Sequence, residues 1–206
     1  MSEIRYRLAK PSDAKEIADV HWHVRDRYSQ GIFLSLGKGF LEAYYKVTLN
    51  DPWEVVICAI NEEGKIVGFV GNTLDAKHKY ENVRSHKIYL GFAAIMALIL
   101  RPSLIKEVWK RYRSLGNNGP QFIKKDGVRG GYWCWLKSDD SLQSVELQHV
   151  NGKILRAFKI KEIFFEVDKF NKAVYKYHLK VNKAEPVEEI TLPDGRVRVL
   201  MRKDLK

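Results

Sequence analysis

The stretch Gly131-Tyr-Trp-Cys-Trp-Leu-Lys-Ser-Asp-Asp-Ser-Leu-Gln-Ser-Val-Glu-Leu147 holds the residue types of an anion site. An aromatic, apolar run enters a short polar loop, and helical spacing resumes behind it. At such a strand–loop–helix corner the first-turn N–H groups and the positive end of the helix dipole can face an anion. Corners that hold phosphate usually carry glycine, because the backbone must come close. Here no glycine lies between Gly131 and Gly152. Glycine is not itself the ligand, however. Ser144 is small and adds a hydroxyl, whereas the bulk of Leu142 limits close approach. Asp139, Asp140 and Glu146 bring negative charge, which either opposes a phosphate or caps the helix start.

A second constellation is His21-Trp-His23. On a helix these two imidazoles point about 200° apart, so they do not share a metal ion. No metal site is expected. Cys58 and Cys134 sit in apolar, strand-like contexts and read as reduced core residues, since two cysteines do not make a secreted framework.

These groups must be positioned by a chain of 206 residues, which suits one domain with an insertion. The net charge is +11, with Lys and Arg scattered along the chain. Without a dense basic tract or a recognisable motif, nucleic-acid binding is not expected. An anionic membrane surface or a polyanionic small ligand remains consistent with the charge. The N-terminus, MSEIRYRLAKPSD, has no signal-peptide core, so the protein is expected in the cytoplasm. The longest apolar run, Ile88 to Leu100, is shorter than the roughly 20 residues that span a bilayer.

The elements follow from periodicity and punctuation. Ile4 to Leu8 alternates and reads as a strand. Ser12 or Asp13 can cap the helix that carries Ala14, Ile17, Ala18, Val20 and His21. A second helix carries Phe40, Leu41, Tyr44, Val47 and Thr48. Glu54 to Ile60 and Lys65 to Gly71 flank Asn61-Glu-Glu-Gly64 as a β-hairpin. Residues 75–116 read as helical, broken at Pro102. Tyr132 to Leu136 is a strand, and Val145 to Phe158 a helix weakened at Gly152. Lys161 to Val167 is a strand, and Asn171 to Leu179 a helix. Ile190 to Leu192 and Arg196 to Met201 close the chain as a hairpin around Pro193-Asp-Gly195. The order is β-α-α-β-β-(helical insert)-β-α-β-α-β-β, an α/β class with one mixed sheet.

This order resembles the GCN5-related N-acetyltransferase (GNAT) superfamily. Ile4-Arg-Tyr-Arg-Leu-Ala-Lys-Pro-Ser-Asp-Ala-Lys-Glu-Ile-Ala-Asp-Val20 is similar to the family's first strand and helix. Glu63-Gly-Lys-Ile-Val-Gly-Phe-Val70 looks like the turn into its third strand. Asn171-Lys-Ala-Val-Tyr-Lys-Tyr-His178 resembles the helix after its fifth strand, usually N-x-A-x-x-x-[LF]-Y. The resemblance covers residues 3–75 and 130–205. It implies one GNAT-like domain over 1–206, with a helical insert at about 76–116 between strands three and four.

The resemblance also implies a chemistry. Such enzymes move an acyl group from acetyl-CoA or another acyl-CoA to an amine by direct attack. Strands four and five splay, the pantetheine arm lies in the gap, and a strand-four N–H polarises the thioester carbonyl. Ungapped from Leu136, residues 141–146 fall on the family's R-G-x-G-x-G. Of these only Val145 matches, and both central glycines are replaced. The cofactor-binding residues are then Leu136, Ser141, Gln143, Ser144, Val145 and Asn171, the last with an alternative as a helix N-cap. The corner is expected to keep its shape and to grip CoA weakly or not at all. His178 stands where the family has its tyrosine acid, and an imidazolium can donate that proton. Tyr177 and Tyr175 are its neighbours. Glu42, Glu54 and Asp75 lie on the acceptor side by analogy, and none stands out as a base. Arg25 and Arg27, with Trp22, His21 and His23, could line the acceptor groove.

The leading reading is an acyl-CoA-dependent N-acyltransferase acting on the amine of a small molecule or amino sugar. A second is the same fold without catalysis, as a binding module. A third is an acyltransferase whose donor is long-chain or bound to an acyl carrier protein, which would explain the basic surface and the apolar insert together. The insert has three readings of its own: core packing, a pocket for a bulky chain, or a membrane edge touched through 88–100. A homodimer is the remaining partner consistent with the sequence.

Overall fold

The computed structural model of the protein describes residues 3–25, 36–106, 126–136, 142–191, 195 and 197–206. In chain order the strands are β1 (Arg5–Leu8), β2 (Glu54–Ile60), β3 (Ile66–Thr73), β4 (Arg129–Trp135), β5 (Glu162–Asp168), β6 (Glu185–Thr191) and β7 (Val197–Asp204). The helices are α1 (Ala14–His23), α2 (Gly37–Leu49), α3 (Ala76–Ser85), α4 (Lys87–Leu100), α5 (Leu142–Ala157) and α6 (Lys172–Lys180). The strands form one mixed sheet in the order β1-β2-β3-β4-β5-β7-β6. Every neighbouring pair is antiparallel except β4 and β5.

The β2–β3 hairpin forms as its turn chemistry requires. Gly64 sits at φ +78°, open to glycine at no steric cost, and its N–H donates to the Asn61 carbonyl. Both faces of β2 are covered, which is why it reads as an unbroken apolar run. Val56, Cys58 and Ile60 pack with α1, α2 and α4 on one face. Val55, Ile57 and Ala59 pack with Leu147 of α5 on the other. Phe69 of β3 stands in register between Cys58 and Cys134. Both thiols are free and buried, and burial pushes Cys58 up to about 12.

Helix α5 is fixed to the sheet by a buried amide pair. Asn72 of β3 donates to Asn151 Oδ1 at 2.7 Å, and Asn151 returns a bond at 3.4 Å. Satisfied in this way, two buried amides specify how the helix sits on the sheet. On the same face α6 covers Val167, Val199 and Met201 with Val174, Tyr175 and Leu179.

Three local expectations shift. Asp13 precedes α1 but makes no side-chain cap there. Its carboxylate turns back to Arg7, at 2.6 Å, and to the Lys10 N–H, at 2.7 Å. Strand β6 begins at Glu185, well before Ile190. An edge strand needs no apolar alternation, so its exposed Glu-Pro-Val-Glu-Glu start reads as loop while its charges and Pro186 guard the edge. The insert is two helices meeting at 67° between Ser85 and Lys87, with Asp75 capping α3 through the Lys77 and His78 N–H groups. Its expected continuation over 107–116 lies outside the described residues. Among the described residues no single helix is long and apolar enough to cross a membrane.

Candidate functional site

The one parallel junction of the sheet is also its weakest. The register of β4 and β5 contains a single pair, Arg129 with Phe164, and the Phe164 N–H reaches the Val128 carbonyl at 3.4 Å. Beyond it the strands part. Two glycines sit at this fork. A Cβ on Gly130 would lie 3.0 Å from the Phe165 Cβ, and one on Gly131 would lie 3.1 Å from the Gly71 carbonyl oxygen. Both contacts are tighter than ordinary, so the fork closes only around residues without side chains.

A bulge sets what faces the gap. Val70 pairs with Trp133 and Asn72 with Gly130, so Gly71 opposes both Gly131 and Tyr132. Backbone groups in a strand alternate in direction. The Leu136 N–H donates to the Val67 carbonyl, so the amides of Trp135 and Trp133 turn toward β5. The side chains sort likewise. Trp133 and Trp135 lie on the α5 face, whereas Cys134 joins the cluster under α1 and Tyr132 stacks on His21 at 4.4 Å between ring centroids.

Helix α6 closes the gap from the α5 side. Its His178 is buried, with ring centroids at 4.4 Å from Phe165 of β5, 5.9 Å from Trp133 of β4 and 5.1 Å from Tyr177. It thus touches both splayed strands. Burial, helped by the Lys203 charge, lowers its pKa to about 4. The ring is neutral near pH 7, which removes the imidazolium expected from the sequence. The neutral tautomer is set as well. Lys203 donates to Asn182 Oδ1, which leaves the Asn182 amide nitrogen to donate to His178 Nδ1 at 3.0 Å. The proton therefore sits on Nε2. Tyr177 is half-buried, 5.2 Å from the Trp133 ring, and burial raises its pKa. Tyr175 instead packs in the core beneath α6.

The residues expected at the phosphate corner are partly assembled. Gln143, Ser144 and Val145 fall in the first turn of α5 and are half-buried. The Gln143 carbonyl accepts a bond from the Tyr6 hydroxyl at 3.3 Å, which ties the helix start to β1. Leu142 is exposed, as is Glu146. Ser141 lies outside the described residues, with Asp139 and Asp140. Leu136 directs its N–H into the β3 ladder and away from the gap. Asn171 is the N-cap of α6, its Oδ1 accepting from the Val174 N–H at 3.4 Å. Of its two readings, the cap is the geometry observed.

The opposite face of the fork carries a charged group that sequence reasoning missed. Glu166 of β5 accepts from Arg129 at 2.6 Å and from Arg198 of β7 at 3.1 Å, one guanidinium on each oxygen. The signal was a carboxylate inside the apolar run Ile163-Phe-Phe-Glu-Val167. The base candidates lie elsewhere. Glu54 is on β2, two strands from β4, buried against Lys79 at 2.6 Å, and burial raises its pKa. Asp75 caps α3, and Glu42 pairs with Lys46 at 2.8 Å. His21 is buried and bonded to the Tyr45 hydroxyl at 2.8 Å, while His23 is exposed and bonded to the Asp19 carbonyl. Arg25 lies over the Trp22 ring at 4.3 Å, and Arg27 is outside the described residues.

No family model matches the chain, and no curated protein matches it in sequence. Solved structures do. It is similar to an acetyltransferase of the GNAT family from Streptococcus pneumoniae, with 15% identity and a TM-score of 0.55 over 99% of this chain and 100% of that one. It is similar to yncA of Salmonella typhimurium, solved with its cofactor acetyl-CoA, with 10% identity and a TM-score of 0.59 over 100% and 95%. It is similar to an aminoglycoside 6'-acetyltransferase type Ii, with 12% identity and a TM-score of 0.57 over 98% and 97%. At these identities the likeness is one of architecture, and this chain has the fold of the GNAT acetyltransferases.

Proposed function

We propose that the protein is an acyl-CoA-dependent N-acyltransferase, most simply an acetyltransferase for the amine of a small molecule or amino sugar. The whole chain, 1–206, works as one such unit in the cytoplasm. The observation that carries this reading is the fork: β4 and β5 pair once and part, with the amides of Trp133 and Trp135 turned toward the opening. Those residues fit an extended donor arm, because a strand-like ligand can pair with an edge whose backbone groups face it.

When bound, acyl-CoA supplies an acyl group activated as a thioester. The chain's own residues do the rest. An amide of Trp133 or Trp135 stabilises negative charge on the attacked carbonyl oxygen. Gln143, Ser144 and Val145, in the first turn of α5, face phosphate with backbone N–H groups and the Ser144 hydroxyl. Leu142 and Glu146 weaken that grip relative to glycine. His178 would offer Nε2–H to charge developing on the donor's sulfur without giving up its own proton. The half-buried phenol of Tyr177 would give its proton to the departing thiolate and take one back from the acylated amine nitrogen. Glu166 holds Arg129 and Arg198 in place on the acceptor side, one on each oxygen.

A second reading changes the donor to a long-chain or carrier-bound acyl group. The net charge of +11 favours it, since acyl carrier proteins are acidic. Calorimetric titration with acetyl-CoA and CoA, followed by thiol-release assays over amines, tests the first reading. Heat with acetyl-CoA and release with an amine support it. Release only from carrier-bound acyl groups moves the assignment to the second. Absence of heat and release throughout, from folded protein, leaves a binding module.

A further inference from the structure

Helix α4 is built inside out. It packs on the cluster under α1 and α2 through Leu90, Ala93, Ala94, Ala97 and Leu98, mostly small side chains. Most of its large apolar side chains point the other way: Ile88 is 82% exposed, Phe92 65%, Ile95 56%, Ile99 64% and Leu100 77%. These fall at spacings of four, three and four, then one, which forms a continuous stripe along one side of a helix. A helix that only completes a core turns its large residues inward. A stripe of this kind facing outward is a binding surface.

The charge pattern names what covers it. From Arg84 through Lys106 the chain contains no Asp or Glu, while Arg84, Lys87, Arg101 and Lys106 bracket the stripe at both ends. Arg101 sits with its guanidinium 5.6 Å from the Trp22 ring centroid, which sets a cation and an indole together at the rim. A second copy of the chain is a poor occupant, because pairing two such helices in either direction sets cations against cations. Anionic lipid suits both parts, with acyl chains against the stripe and headgroups against the cations. The helix is about 20 Å long, short of the roughly 30 Å hydrocarbon core, so it lies in the interface and does not cross it.

We propose that α4 docks the protein on an anionic membrane surface, with Ile88, Phe92, Ile95 and Ile99 in the lipid and Arg84, Lys87, Arg101 and Lys106 at the headgroups. The proposal is independent of the acyl-transfer reading.

The test is co-sedimentation of the full chain with vesicles of phosphatidylcholine containing phosphatidylglycerol, and with vesicles of phosphatidylcholine alone. Binding is expected to the mixed vesicles, weakened by salt, and roughly ten-fold weaker or less to the neutral ones. Phe92→Ser with Ile95→Ser is expected to lower binding by about ten-fold or more. Both positions are exposed, so circular dichroism should be unchanged. Arg101→Gln with Lys106→Gln is expected to remove the preference for the anionic vesicles. Equal binding by wild type and the Phe92/Ile95 variant overturns the proposal. So does wild type that ignores both vesicles, whether it remains monomeric or self-associates through α4 in sedimentation equilibrium.

Discussion

Asn182 donates a hydrogen bond to His178 at Nδ1, 3.0 Å away, and Lys203 fixes the direction of that amide by bonding its oxygen. The arrangement holds His178 neutral with its proton on Nε2, against both strands of the fork.

A kinetic consequence follows for acyl transfer. A His acting as imidazolium would make kcat fall as pH rises through its ordinary value near 6.5. With His178 at about 4 there is no such limb. The expected pH profile of kcat is flat from about pH 5.5 to 7.5 as far as His178 is concerned. His178→Gln, which keeps an N–H donor, retains more activity than His178→Leu. A limb near 6.5 that disappears in both variants contradicts the neutral-donor role.

Acid stability carries a second signature. Burial lowers both His21 and His178 from 6.5 to about 4. Below pH 6.5 the unfolded chain takes up protons that the folded chain does not accept until pH nears 4. Stability is therefore complete above pH 6.5 and declines as pH falls through that window. Each histidine accounts for about 3 kcal/mol across it. Urea unfolding at pH 7 and pH 4.5 measures the slope, and His178→Leu is expected to reduce it by about half.

Glu166 is flanked by Arg129 and Arg198, and its side chain is only 10% exposed. Removing its charge leaves two guanidiniums facing each other. Glu166→Gln is expected to cost about 3 kcal/mol in urea unfolding at pH 7. A cost near zero would mean that water replaces the carboxylate without loss.

Gly68 supports Trp135 directly. A Cβ there would lie 2.3 Å from Trp135 Cε3, on the strand pair that leads to the fork. Gly68→Ala is expected to destabilise by about 1–3 kcal/mol and to disturb Trp fluorescence, because the indole must leave its place. An unchanged spectrum with unchanged stability contradicts that packing.

The corner can be tested by reversal. Leu142→Gly with Ser144→Gly restores the family's glycines at the start of α5. CoA binding is expected to tighten by roughly three- to ten-fold in calorimetry, while each glycine costs about 1 kcal/mol of stability. Looser binding would show that the Ser144 hydroxyl contributes more than its bulk obstructs.

Much of the frame was legible because local chemistry and position agreed. The Gly64 turn and the doubly covered strand at 54–60 fall where the pattern put them. Asn171 announced both the start of α6 and its cap. What escaped was set by tertiary neighbours. His178 lies between Lys176 and Lys180, a polar setting that hides its burial against Phe165 and Trp133. The pairing of Glu166 leaves no local signal, because its partners Arg129 and Arg198 are far away in sequence. The apolar run at 88–100 gave its composition but not its orientation, since small and large residues could have exchanged sides.

The bulge opposite Gly71 makes this stretch of strand tolerant of a change in length. Gly130 and Trp133 are three residues apart, yet they answer Asn72 and Val70, which are two apart and share a face, so two positions answer Gly71. Deleting one of those two would restore plain alternation, with Trp133 and Trp135 still on the α5 side and Cys134 still under α1. Such a chain would lose a residue and keep the lining of its cleft.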